Sequence, residues 1–139
     1  MKKRFVLEKI NTIGFDVLAI NSHAKGYKLC WNINKELKLD FEKTNDQIIN
    51  KNNSFSRYKC VNDLGVEYNI LANRSKTGYL LPDKKSVNYF FIINQEHANK
   101  EKEQIIKKLK QNREILMVFE IDIKESKYIN RLIFNDKKN

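Results

Sequence analysis

For structural zinc, the candidate ligands of this 139-residue chain are His23, His97, Cys30 and Cys60, and no two stand at the spacing of roughly two to five residues that such sites use. No metal is expected, and no other cofactor. Nucleophilic catalysis needs a thiol or hydroxyl beside an oriented base, and only His23 with Cys30 offers such a pair on one helical face. His23, however, falls where a helix should begin, the usual place of a solvated or capping histidine. Asn73-Arg74-Ser75-Lys76-Thr77-Gly78 carries a Lys-Thr pair but lacks the two glycines of a phosphate loop. The carboxylates Asp16, Glu67, Asp83, Glu120 and Asp122 are scattered, and sequence alone pairs none of them for acid and base work. A non-catalytic protein is the expectation.

Charge suggests a different chemistry. Lysine and arginine number 27 against 17 acidic residues, a net charge of +10, which favours a polyanionic partner such as nucleic acid or an anionic membrane. The excess is nearly all lysine, 22 against 5 arginines, beside 18 asparagines and 16 isoleucines, a bias that AT-rich coding produces whatever the protein binds. Residues 1–10, 95–113 and 124–139 each carry +3, while residues 114–123 carry −3. RNA binding depends on where cations converge. Arg57, Lys59, Arg74 and Lys76 would make a single-strand site if they met on one sheet face near Tyr58 and Tyr79.

The positioning elements follow from periodicity. Phe15-Asp16-Val17-Leu18-Ala19-Ile20 reads as a short strand covered on both faces. A helix capped by Ser22 follows, with Leu29, Cys30, Ile33 and Leu37 on its buried face and Tyr27 and Trp31, four apart, read as stacked at the core edge rather than as a ligand platform. Residues 42–54 are polar and asparagine-rich and read as a mobile loop. Two alternating strands, 56–61 and 66–71, flank a hairpin loop closed by Gly65. Residues 87–93 make a central strand, residues 95–113 a charged helix capped by Asn94, and residues 115–121 another buried strand. Tyr128, Ile129, Leu132 and Phe134 close the chain with a short helix before residues 135–139 fray. The whole of 1–139 reads as a single α+β domain: a largely antiparallel sheet with two main helices packed on one face and a short C-terminal helix. Met1-Lys2-Lys3-Arg4 is followed by an apolar run too short for a secretory signal, and no run is long enough to span a membrane, so a cytoplasmic protein with reduced core thiols is expected.

One segment resembles a known signature. Leu81-Pro82-Asp83-Lys84-Lys85-Ser86-Val87-Asn88-Tyr89 is similar to the Ile-Pro-Glu-x-x-x-Val-Asp-Tyr stretch that names the bacterial IPExxxVDY family. Pro82, Val87 and Tyr89 match it, while Leu81, Asp83 and Asn88 are close substitutes. Ser22-His23, Leu29-Cys30-Trp31, Phe55-Ser56-Arg57-Tyr58 and Thr77-Gly78-Tyr79 fit the family's other features, so the resemblance spans residues 15–122. It implies a protein without a known activity, of a kind often encoded beside ribonuclease III, and so points to RNA. The amide at Asn88 argues that this signature position is structural. Physically the segment is a turn: Pro82 fixes φ, Asp83 can accept backbone N–H bonds, and Val87 and Tyr89 share a sheet face.

The residues to test for binding are Arg57, Tyr58, Arg74, Lys76, Tyr79, Asp83 and Tyr89. The leading expectation is a non-catalytic protein that binds RNA or an RNA-processing protein, away from the membrane. A small enzyme built on Asp83, Tyr89, Arg57 and Tyr58 and a protein-only adaptor remain as alternatives.

Overall fold

The computed structural model describes residues 14–95 and 99–134. Its most apolar segments form the centre of a sheet: β1 (Asp16–Asn21), β4 (Glu67–Ala72) and β5 (Tyr89–Ile93). β2 (Glu42–Asn50) and β3 (Asn53–Val61) lie to one side and β6 (Met117–Ile121) to the other, in the order β2-β3-β4-β5-β1-β6, every neighbouring pair antiparallel. Because strand side chains alternate, the apolar runs feed two cores at once. Leu18, Ile20, Ile70, Phe91 and Ile93 face the helices α1 (Gly26–Leu37) and α2 (Asn99–Lys110). Val17, Ala19, Leu71, Phe90 and Ile92 face the opposite way, under residues 80–87 and 123–134.

The α+β architecture therefore matches expectation, with both helices on one face. The closing helix is a single 3-10 turn, Ile129–Leu132, whose Leu132 is buried in the second core.

Three local expectations are corrected. Residues 42–54 are not a loop but β2, its turn and the start of β3, because an edge strand needs backbone partners more than apolar side chains. Gln47 reinforces it by donating to the carbonyls of Arg131 (2.7 Å) and Ile133 (3.2 Å). Ser22 does not cap α1, which begins after Lys25; its hydroxyl donates to the Glu114 carbonyl (2.5 Å) and accepts from the Ala24 N–H (3.0 Å). The second helix ends at Lys110 rather than at residue 113 and Gln95 is not helical, while the expected Asn94 cap falls against residues 96–98, outside the described residues. Residues 135–139, with the fraying expected of them, lie outside the described residues.

Other turns behave as read. Gly65 takes φ 85° at the end of the β3–β4 hairpin, where Asn62 accepts the Leu64 and Val66 N–H groups (2.9 Å each). Lys102 of α2 spans the sheet edge, its ammonium 2.7 Å from Glu120 and 3.6 Å from Asp16. Burial alone would lower that ammonium, but the Glu120 hydrogen bond and the Asp16 charge outweigh it and hold its pKa raised.

Gly26 sets how closely α1 approaches the sheet. A Cβ there would stand 2.5 Å from Tyr58 Oη, whose ring is buried on β3. Gly26→Ala should destabilise the fold by about 1–3 kcal/mol through overpacking, and adding Tyr58→Phe should recover part of that loss. Urea melts of the single and double variants would show it; additive losses would mean that the two residues do not press on each other.

Candidate functional site

The segment between β4 and β5 is organised by one buried amide. Asn73 donates from Nδ2 to the carbonyls of Lys84 and Val87 (2.9 Å each) and accepts the Leu81 N–H (2.9 Å) on its Oδ1. Its backbone also pairs with Leu80 (2.7 Å) and Asn88 (2.9 Å). These bonds fold residues 80–87 back over the sheet and bury Leu80, Leu81 and Val87 against Leu71, Phe90 and Ile92.

The signature-like residues serve the fold, but Val87 and Tyr89 do not share a face as expected: Val87 packs in the second core, whereas Tyr89, inside β5, packs against the helix-side core. Pro82 opens the 3-10 turn Pro82–Lys84. Asp83 is exposed and accepts a bond from the Ser126 hydroxyl (3.1 Å) rather than from N–H groups of its own turn, tying the turn to the C-terminal segment. Asn88 Oδ1 accepts the Ser22 N–H (2.9 Å), and its backbone N–H donates to Asn21 Oδ1 (3.0 Å). The Tyr89 hydroxyl donates to the Ala24 carbonyl (2.8 Å). Asn88 and Tyr89 thus clasp the turn that leads β1 into α1. Only acceptor capacity is needed at the Asn88 side chain, which a carboxylate supplies equally well.

The seven residues proposed for binding do not converge. Arg57 and Tyr58 are adjacent in a strand and face opposite ways. Arg57 is buried, donates from Nε to Asn69 (2.8 Å), lies 3.8 Å from Glu67 and stacks 4.0 Å over the Phe134 ring centroid. Tyr58 is buried beneath α1, where loss of solvent raises its phenol pKa. With Asp83 on the outer turn and the Tyr89 hydroxyl engaged, the four residues of the enzyme alternative are not brought together.

Arg74, Lys76 and Tyr79 do come together. Residues 74–79 form a tight hairpin, bridged between Arg74 and Tyr79 and closed by Ser75 N–H donating to Gly78 (2.8 Å). Thr77 fastens it to the β2–β3 turn, donating to the Asn52 carbonyl (2.8 Å) and to Asn53 Oδ1. The half-buried Tyr79 ring has the Arg74 guanidinium 5.9 Å from its centroid and Lys85, which the sequence reading did not select, at 5.6 Å. Arg131 supports the segment after the hairpin, donating to the Leu80 carbonyl (2.9 Å). Arg74, Lys76 and Lys85 are exposed, so the hairpin presents an aromatic edge among three accessible cations.

The other chemistry-bearing residues are dispersed. His23 is exposed in the turn before α1, while Cys30 and Cys60 are free thiols buried in the helix-side core; His97 lies outside the described residues. Among the described residues no group of three or more His, Cys, Asp or Glu is placed to hold a metal ion. Asp16, Glu120 and Asp122 line an open recess of about 360 Å³ at one end of β1 and β6. Glu67 pairs with Arg57 and Lys59, and Asp83 lies on the far turn. No helix of the described residues is long and apolar enough to cross a membrane. Tyr27 and Trp31, expected at the core edge, stand instead in solvent on the outer side of α1.

Asn73→Ala should strand three buried backbone groups and cost about 2–5 kcal/mol, whereas Asn88→Asp should stay within about 0.5 kcal/mol of the parent in the same chemical melts. Burial pushes the Cys30 thiol from 9.0 to about 12, and burial followed by the Tyr58 and Cys30 charges pushes the Tyr89 phenol from 10.0 to about 12. The folded chain keeps both protons after the unfolded chain has released them. Stability should therefore be intact below about pH 9 and decline as pH rises through 12. A denaturation midpoint that stays level from pH 8 to 11 would contradict this, and Cys30→Ala should flatten the decline. No protein-family model and no curated protein matches this chain.

Proposed function

We propose that this chain is a non-catalytic, cytoplasmic RNA-binding protein of the kind its IPExxxVDY-like sequence suggests. The observation that carries the reading is the anchored hairpin 74–79, which holds Tyr79 between Arg74 and Lys85 with Lys76 exposed at its tip. Residues 73–88 carry Arg74, Lys76, Lys84 and Lys85 against Asp83 alone, a local +3. Cations fixed around an aromatic edge suit phosphate contact with an adjacent base or sugar, and a fastened hairpin loses little freedom on binding. The net positive charge would speed encounter with a polyanion. The inward-facing Arg57 and Tyr58, which the enzyme alternative needs beside Asp83, support binding over catalysis.

Fluorescence polarisation of labelled RNA across a salt series tests the reading. Affinity should fall steeply with salt, and replacing both Arg74 and Lys85 with Ala should reduce the log–log salt slope by about 1.4, two phosphate contacts' worth on a single strand. Affinity that is flat between low and physiological salt would remove RNA as the partner. Partners that survive nuclease treatment in a pull-down with the intact chain would favour a protein adaptor in its place.

A further inference from the structure

The core-facing residues of α1, Leu29, Cys30 and Ile33, fix its rotation and turn Tyr27, Trp31 and Lys35, spaced four apart, toward water. Tyr27 is 71% and Trp31 58% exposed. Trp31 is the chain's single tryptophan. Large aromatics left in solvent forfeit the area they would gain by burial, and such patches mark contact surfaces.

The setting identifies the occupant. Lys35 Nζ sits 4.3 Å from the Trp31 ring centroid. Residues 25–38 hold Lys25, Lys28, Lys35 and Lys38 against Glu36; Glu36 accepts a bond from Asn112 (3.0 Å) and Lys28 pairs with Glu114 at 3.7 Å, so the exposed cations offered to a ligand are Lys25, Lys35 and Lys38. Accessible ring faces among cations complement a ligand with planar faces joined by anionic linkers. The helix rise separates the two ring attachment points by about 6 Å along the axis, wider than the roughly 3.4 Å between bases stacked in a duplex. Two bases reach these rings only when the strand is opened, because duplex bases are covered by their neighbours.

We infer that the outer face of α1 is a base-stacking site for single-stranded nucleic acid, with Trp31 and Tyr27 as the platforms and Lys35 and Lys38 facing the backbone. This deepens the RNA reading, by making the bound segment unpaired, but uses none of the hairpin residues. Its readout is also separate, since Trp31 reports its own environment.

The intact protein's tryptophan fluorescence, titrated with oligouridylate, oligothymidylate, a matched RNA duplex and inorganic polyphosphate, tests it. Both single strands should quench Trp31, whereas duplex and polyphosphate should leave it nearly unchanged; a difference between the two single strands distinguishes RNA from DNA as the source. Trp31→Ala and Tyr27→Ala, each at an exposed position, should weaken oligouridylate binding measured by polarisation by roughly 5- to 150-fold, and Trp31→Phe should retain most of the affinity. Equal quenching by polyphosphate would reduce the face to a charge patch and overturn the inference. So would an emission change on raising protein concentration alone, which would mark a surface between copies of the chain. The two sites fail separately. If Trp31→Ala binds RNA as tightly as the parent, the α1 site is wrong and the hairpin reading stands. If Trp31 quenching is untouched by the Arg74→Ala, Lys85→Ala pair and that pair binds with an unchanged salt slope, the hairpin reading is wrong and the α1 site stands.

Discussion

A single buried carboxamide governs the second face of this sheet. Asn73 uses both its donors and its acceptor on the backbone of residues 81–87, and without them that segment would carry unpaired polar groups into an apolar layer. Once satisfied, the segment brings Leu80, Leu81 and Val87 down on β4 and β5 and places Asn88 and Tyr89 at the turn before α1. The cover on one face and the start of the helix on the other thus share one anchor. The same geometry fixes the base of the 74–79 hairpin, since its flanks are Asn73 and Leu80. Rigidity where the cations are displayed follows from hydrogen bonding beneath them.

Charge is divided by a similar rule. Arg57 and Lys102 are buried and each meets acidic or amide partners: Arg57 has Asn69 and Glu67, and Lys102 has Glu120 and Asp16. Those cations join strands or join helix to sheet, as buried charge requires. Arg74 on the 74–79 hairpin, Lys85 next to it and Lys35 on the outer side of α1 are exposed beside aromatic rings. Counting lysines therefore says little about binding, and locating them says much more.

Much of the architecture was legible because burial on both faces leaves a plain mark. Five apolar residues in six over 15–20, the aromatic run of β5 and the Asn62-to-Gly65 turn each specify one local structure, and all three occur where expected. β2 escaped because its pairing lies in the backbone and its Gln47 contacts carbonyls more than eighty residues away. Arg57 was misjudged because its partners sit on the neighbouring strand, and register is not written in one strand's composition. The exposure of Trp31 was readable: at 100° per residue, a stripe centred on Leu29, Cys30 and Ile33 puts position 31 on the far side. Lys85 approaches Tyr79 only because Asn73 folds the intervening chain, which no spacing reveals.

The strand order has a consequence for biosynthesis. β1 lies between β5 and β6, and its nearest partner residue in sequence, the Tyr89 that pairs with Ile20, is about 70 residues downstream. At translation rates of about 5–20 residues per second, β1 emerges from the ribosome roughly 4–14 s before that partner. During that interval its run Val17, Leu18, Ala19, Ile20 has no mate, while β2, β3 and β4 can already zip together as neighbours. Closure of the sheet therefore waits for the C-terminal half, and β1 stays unpaired until it arrives.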